Sequence, residues 1–165
     1  MGKRSNFERV ERDFYPTPYE AVVPLLPHLP DIARFHEPCV GGGDLVNHLE
    51  RHGHKCFAAG DIFSGQDALE IIETPADMFI TNPPWDRKIL HPLIDALPRI
   101  APTWLLFDAD WMHTKQSAPF MARCQKIVSV GRVKWIPDSN MTGKDNCSWY
   151  LFINAKTDRT EFYGR

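Results

Sequence analysis

Ala33-Arg34-Phe35-His36-Glu37-Pro38-Cys39-Val40-Gly41-Gly42-Gly43-Asp44-Leu45-Val46-Asn47-His48-Leu49-Glu50-Arg51-His52-Gly53 reads as a strand, a glycine turn and a helix in immediate succession. Three consecutive glycines free the backbone for a tight turn, because glycine adopts positive φ without a steric cost. Leu45, Val46 and Leu49 then share one helical face, and Gly53 supplies a natural C-terminal stop. Downstream, Lys55 to Ile62 reads as a buried strand carrying the acid Asp61 near its end. Asp77 to Thr81 reads as another that runs straight into Asn82-Pro83-Pro84-Trp85, where two prolines end it. The spacing predicts a helix over Ile89 to Leu97 with Pro92 in its first turn, and a strand over Trp104 to Phe107 that ends at Asp108. It predicts a helix over 114–124 and closing strands over Ile127 to Val130 and Trp149 to Ile153. Strands separated by helices throughout predict an α/β fold: a mostly parallel sheet with helices on both faces.

Upstream, Thr17-Pro18-Tyr19-Glu20 has Thr at an N-cap, Pro at the first helical position and Glu three residues after the cap. A helix is expected there, short or broken because Pro24 and Pro27 follow, and finished before Asp31. At 165 residues and 43% apolar, the chain is expected to form a single domain over 1–165, with a short extension at 1–12. The charged fraction of 24% argues against disorder, and no apolar run approaches the roughly 18 residues of a membrane span. MGKRSNFERVERD has no apolar stretch behind its positive charges, so no secretory signal is read and a cytoplasmic protein without a membrane partner is expected. Cys39, Cys56, Cys124 and Cys147 lack the paired spacing of a zinc site and are expected as reduced thiols. Charge is uneven: residues 13–112 carry six positive and fifteen negative side chains, residues 113–165 nine and four. Plain solvation explains that pattern, and so does a polyanion surface beside a site for a cation.

In an open α/β sheet, ligands bind beyond the carboxyl ends of the strands near the switch in strand order. Glu37 to Gly43 lies at such an end, and the helix that follows points N–H groups into the gap. A tight turn without a ligand is the alternative. Asp61 follows the glycines by about 20 residues, where a carboxylate can take both ribose hydroxyls of a nucleoside, or can cap a turn instead. Asn82-Pro83-Pro84-Trp85 is the sharpest signal: the Asn82 side-chain oxygen and the Pro83 carbonyl can accept both hydrogens of a planar NH2 while Trp85 stacks on its ring. The alternative is a proline turn with a buried Trp. His48, His52 and His54 do not make a metal site on this reading, because His54 lies beyond Gly53 and no carboxylate completes the set. Asp108-Ala109-Asp110 reads as a strand-end cap or pocket lining, not a magnesium site.

Phe14-Tyr15-Pro16-Thr17-Pro18, Glu37-Pro38-Cys39-Val40-Gly41-Gly42-Gly43 and Asn82-Pro83-Pro84-Trp85 together resemble three motifs of S-adenosylmethionine-dependent amino methyltransferases: the amino-terminal motif, the cofactor loop and the catalytic tetrapeptide. The likeness is in particular to DNA adenine-N6 methyltransferases and covers residues 13–111; Val130 to Leu151 is similar to small methyltransferases carried by bacteriophages and prophages. The resemblance implies a Rossmann-like class I methyltransferase fold and S-adenosyl-L-methionine as cofactor. It also implies methyl transfer to the exocyclic N6 amine of adenine in DNA, with the base flipped out. Phe14 and Thr17 would flank the methionine moiety, and Glu37 with the Gly41 to Gly43 turn would hold its amino and carboxylate groups. Asp61 would bind the ribose, Ile62 would pack on the adenine, and Asp67 would accept from the adenine amine. Pro18, Pro38, Cys39 and Asn82 count with them as cofactor contacts, and Asn82, Pro83, Pro84 and Trp85 as the catalytic set.

After Trp85 only 80 residues remain, too few for a separate target-recognition domain. Recognition would come from a homodimer, another partner, or short loops at Trp111 to Gln116 and Asp138 to Asn146. Trp111, Arg132, Lys134 and Lys144 are the candidate nucleic-acid contacts there. The alternatives are a methyltransferase acting on an RNA amine or a protein glutamine amide, and a non-catalytic module that binds the cofactor.

Overall fold

The computed structural model describes residues 15–138 and 142–165. Phe14, the extension at 1–12 and the middle of the loop after Asp138 lie outside the described residues. The strands are β1 (Arg34–Glu37), β2 (Lys55–Ala59), β3 (Met78–Thr81), β4 (Thr103–Asp108), β5 (Cys124–Gly131), β6 (Cys147–Phe152) and β7 (Glu161–Tyr163). The α-helices are α1 (Tyr19–Val22), α2 (Asp44–Arg51), α3 (Arg87–Ala96) and α4 (Ala118–Met121), with short 3-10 turns between elements. One sheet holds the strands in the order β2-β1-β3-β4-β6-β5-β7. The pairs β2–β1, β1–β3, β3–β4 and β5–β7 are parallel, while β6 runs against both β4 and β5. The mostly parallel sheet expected from the sequence is therefore present, with β6 reversed.

Side-chain alternation divides the sheet between two apolar layers, as a period of two requires. Phe35, Ile80, Trp104, Leu106 and Trp149 pack on one side with Ala21, Val22 and Leu25 from the α1 region and Leu45 and Leu49 of α2. Leu105, Phe107, Tyr150 and Phe152 pack on the other with Leu90 and Ile94 of α3, and Phe79 meets Leu93 on that same helix. Truncating any of these large buried side chains to Ala costs about 2–5 kcal/mol. α1 is one turn long, too short to stand alone. It is pinned from the sheet, where the Trp149 indole N–H donates to the Ala21 carbonyl at 2.7 Å.

Several local expectations yield to tertiary partners. Thr17 does not cap α1; Pro18 occupies the cap position with no side-chain hydrogen bond. The Thr17 hydroxyl instead accepts from Asn82, and the Glu20 carboxylate takes the Lys134 N–H at 2.6 Å in place of its own cap. α3 starts earlier than the spacing predicts because the Asp86 side chain accepts from the Lys88 N–H at 2.9 Å, which leaves Pro92 inside the helix. Residues 114–124 form only a 3-10 turn and α4, since β5 already claims Cys124.

From β1 the chain moves outward to β2, then returns past β1 to β3. The carboxyl ends of β1 and β3 therefore flank the switch in strand order, where open α/β sheets form their crevice. Glu37 ends β1, and Thr81-Asn82 leaves β3.

Candidate functional site

The glycine turn is fastened by backbone bonds. Val40 N–H donates to the Gly60 carbonyl at 2.9 Å, and Gly43 N–H to the Val40 carbonyl at 2.8 Å. Gly41 and Gly43 take φ of 52° and 85°, in the left-handed region. Gly43→Ala would meet no steric obstacle, so its penalty is the backbone strain alone. An expected loss of about 1–2 kcal/mol follows for an L residue forced into this region, measurable by denaturant unfolding.

Asp61 ties this turn to the end of β2. Its Oδ2 accepts from the Gly41 N–H at 3.0 Å and its Oδ1 from the Phe63 N–H at 2.9 Å. Asp61 is thus a turn cap, yet an ionised carboxylate offers about four acceptor sites, so capacity for ligand hydroxyls remains. Asp67 likewise caps a turn, accepting from the Leu69 N–H at 2.9 Å. Ile62 beside Asp61 is exposed.

Glu37 is 1% exposed. Burial raises its carboxyl to about 8, and the Cys39 N–H, donating to Oε1 at 3.3 Å, opposes the rise only in part. Thr81 lies near enough to ease the cost as well, but its buried hydroxyl has no hydrogen bond of proper geometry. The end of β1 therefore presents a buried acid and the end of β3 an unsatisfied hydroxyl, with no positive side chain paired to the acid among the described residues. Such a pair favours a cationic ligand group that also donates hydrogen bonds.

Asn82 is half-buried directly after β3. Its Nδ2 donates to Thr17 Oγ1 at 3.1 Å. The Trp85 indole N–H donates to the Leu106 carbonyl at 3.1 Å and more weakly to Asn82 Oδ1 at 3.4 Å. These partners set the amide's orientation: a flipped amide would place its NH2 against the indole N–H, donor on donor. Trp85 packs on both apolar layers, and its ring lies 5.6 Å from that of Trp135 at 86°. Part of the half-buried indole is thus engaged by the core. Thr17, 6% exposed, is best described as the amide's support. Thr17→Val should destabilise the fold by about 1–3 kcal/mol, the cost of leaving the Asn82 amide without its acceptor, with Thr17→Ser restoring the stability in denaturant unfolding.

Two clefts adjoin these residues. One of about 500 Å³ is lined by Pro16, Thr17, Pro18, Tyr19, Glu20, Asp44, His48, Lys134 and Trp135. The other, about 330 Å³, includes His36, Pro38, Gly60, Gln66 and Asp67. Glu37, Asp61 and Asn82 form neither wall, but Pro38 and Gly60 are sequence neighbours of the two acids, and Thr17 is bonded to Asn82. The structure therefore gathers Thr17, Pro18, Glu37, Pro38, Cys39, Gly41, Gly43, Asp61 and Asn82 around the carboxyl ends of β1 to β3, while Phe14 lies outside the described residues.

Trp111 is a correction. It is 1% exposed, enclosed by Phe107, Tyr150, Phe152 and Phe120, with its indole N–H donating to His91 Nε2 at 3.0 Å. With its ring enclosed and its donor satisfied, it cannot contact nucleic acid. Arg132 and Lys144 are exposed, and Lys134 is half-buried on the larger cleft. The three histidines have separate partners: His48 Nε2 donates to the Thr17 carbonyl, His52 Nε2 meets the Tyr19 hydroxyl at 2.8 Å, and His54 Nδ1 accepts from the Ala33 N–H. Sequence reasoning missed Thr81 and Glu20. Only Thr81's place just before Asn82 could have flagged it.

No protein-family model matches the sequence, and no curated protein sequence matches it. The fold is matched by solved structures. A candidate RNA methyltransferase from Pyrococcus horikoshii aligns with a TM-score of 0.55 at 16% identity, over 86% of each chain. A candidate class I S-adenosylmethionine-dependent methyltransferase from Listeria monocytogenes aligns at 0.55 and 11% identity, over 96% of this chain and 68% of that one. The M protein of the type I restriction enzyme EcoKI aligns at 0.54 and 9% identity, over 92% of this chain and 48% of that one.

Proposed function

From the class I methyltransferase fold that these likenesses establish, we propose that the chain transfers a methyl group from S-adenosyl-L-methionine to a planar exocyclic amine of a nucleic-acid base. The N6 amine of adenine in DNA is the acceptor its motifs favour. The observation that carries this reading is the Asn82 amide, fixed by Thr17 and Trp85 at the switch point beside a buried acid. The unsatisfied Thr81 hydroxyl and the unpaired Glu37 carboxyl suit the ammonium of the cofactor. Asp61 retains acceptors for a ribose, and α2 directs free N–H groups toward a carboxylate. When bound, the cofactor supplies an electrophilic methyl group.

The chain's own residues would act on the amine. Its lone pair is delocalised into the ring, so the amine is a poor nucleophile until it pyramidalises. Asn82 Oδ1 and the Pro83 carbonyl would accept its two N–H groups, and those bonds strengthen as positive charge develops on nitrogen. No proton has to leave before attack; the methylated, now acidic nitrogen loses one afterwards to solvent, so neither Glu37 nor Asp108 is required as a base. Arg132, Lys134 and Lys144 would contact phosphates and make binding salt-dependent without selecting bases.

A second reading places the same chemistry on RNA, and the likeness to the Pyrococcus horikoshii candidate RNA methyltransferase supports it. Labelled S-adenosylmethionine incubated with DNA, RNA and protein, followed by digestion, tests both. N6-methyladenine from DNA is expected. Label confined to RNA would select the second reading, and label confined to glutamine would overturn the nucleobase as acceptor.

A further inference from the structure

We propose that Trp135, not Trp85, supplies the stacking face for the acceptor base, in the 500 Å³ cleft between residues 16–20 and the 132–137 segment; this rests on the reading that the acceptor is an amine borne on a ring. Trp85, half-buried like Trp135, lines neither cleft. Its N–H is committed to the Leu106 carbonyl, and its ring packs on both apolar layers where Trp135 packs on one.

Trp135 is half-buried, packs against one apolar layer and lines the cleft. Gly143 lies against it, where an added Cβ would come within 3.0 Å of the indole Cδ1 and 3.1 Å of both Nε1 and the Val133 carbonyl oxygen. The Gly143 N–H donates to the Val133 carbonyl at 2.9 Å, which closes the turn that holds this contact. Across the cleft, Pro16, Pro18 and Tyr19 supply apolar surface, and the Tyr19 hydroxyl is anchored to His52. A planar ring is the ligand such walls suit. A glutamine side chain, with no ring, would gain little from them.

The polar lining is mixed. Lys134 stands beside the Glu20 and Asp44 carboxylates, so the cleft can take a base through hydrogen bonds while only Lys134 offers charge to a phosphate. His48 donates through Nε2 to the Thr17 carbonyl, which leaves Nδ1 as a buried acceptor with no partner. Both sides of the cleft also touch the catalytic tetrapeptide, Trp135 through the Trp85 ring and Thr17 through the Asn82 amide. A base stacked on Trp135 would therefore be separated from the Asn82 amide by Thr17 alone, and its amine would reach Asn82 past that side chain.

The test is binding of a single-stranded oligodeoxynucleotide, and of its RNA counterpart, each carrying one 2-aminopurine, to the full chain without turnover. Trp135→Ala is expected to raise the oligonucleotide Kd about 5- to 150-fold, the loss of one base–aromatic stack, while S-adenosylmethionine Kd stays unchanged. Trp135→Phe should retain most of the affinity. Thermal melts confirm that each variant folds. The proposal is overturned if Trp135→Ala binds the oligonucleotides like wild type, if wild type binds neither, or if the variant loses affinity for S-adenosylmethionine instead. Trp135-dependent binding by a chain that transfers no methyl group would support the platform and overturn only the catalytic reading.

Discussion

Asn82→Ala is expected to lower single-turnover methyl transfer by about 10²- to 10³-fold or more, the cost of removing a group that stabilises charge developing in the transition state. S-adenosylmethionine should still bind, because the amide is one cofactor contact among several, and Glu37, Thr81, Asp61 and the start of α2 keep theirs. Losing the side chain releases Thr17 Oγ1 and one weak bond from Trp85, but the Trp85 N–H keeps the Leu106 carbonyl and the loop keeps both prolines. The fold should therefore survive, as a thermal melt would show. Near-normal turnover by this variant would remove Asn82 from the mechanism altogether.

Glu37 gives the second large effect. Burial holds its carboxyl at about 8, above its ordinary value of 4.5. A carboxyl raised on folding binds its proton more tightly in the folded chain. Its stabilising contribution is thus full below about pH 4.5 and is lost as pH rises toward 8. The ligand-free protein should lose stability across that window, and Glu37→Gln should remove this part of the slope.

A cationic ligand group reverses the preference, because it needs the ionised acid. Binding below pH 8 must then release a proton, and cofactor affinity should rise by up to about tenfold per pH unit between pH 6 and 7.5. Glu37→Gln should bind the cofactor about 10²-fold more weakly, the scale of losing one partner of a buried charge pair, and without that rise. Calorimetric titration in two buffers of different ionisation enthalpy reads both the affinity and the proton. An unchanged Kd in the variant would take Glu37 out of the site.

The strand ends that build the crevice were legible because each short strand stops at residues that cannot continue it: Pro38 and the glycines after β1, and Pro83 and Pro84 after β3. The reversal of β6 was not legible, since a strand's direction depends on which edge it meets and leaves no local mark on Cys147 to Phe152. β7, at three residues, is too short to show a period. Thr17 to Glu20 carries the local pattern of a helix cap, but Asn82 and the Lys134 N–H are stronger partners than the fragment's own backbone. Trp111 was singled out in the sequence and Trp135 was not, since nothing local marks which large ring is enclosed. Only the packed structure separates them, enclosing Trp111 among core aromatics and setting Trp135 on a cleft wall. Asp61 and Asp67 were legible as polar strand-end and loop residues, while their capping bonds depend on turns the spacing could not define.

A crystal structure of the chain with S-adenosylhomocysteine, the demethylated cofactor, tests the central claim most directly. The account predicts the ligand in the crevice at the ends of β1 and β3, its ammonium on Glu37, its ribose on Asp61 and its sulfur turned toward Asn82. A ligand bound away from Glu37 and Asp61, or with its sulfur facing away from Asn82, would contradict it.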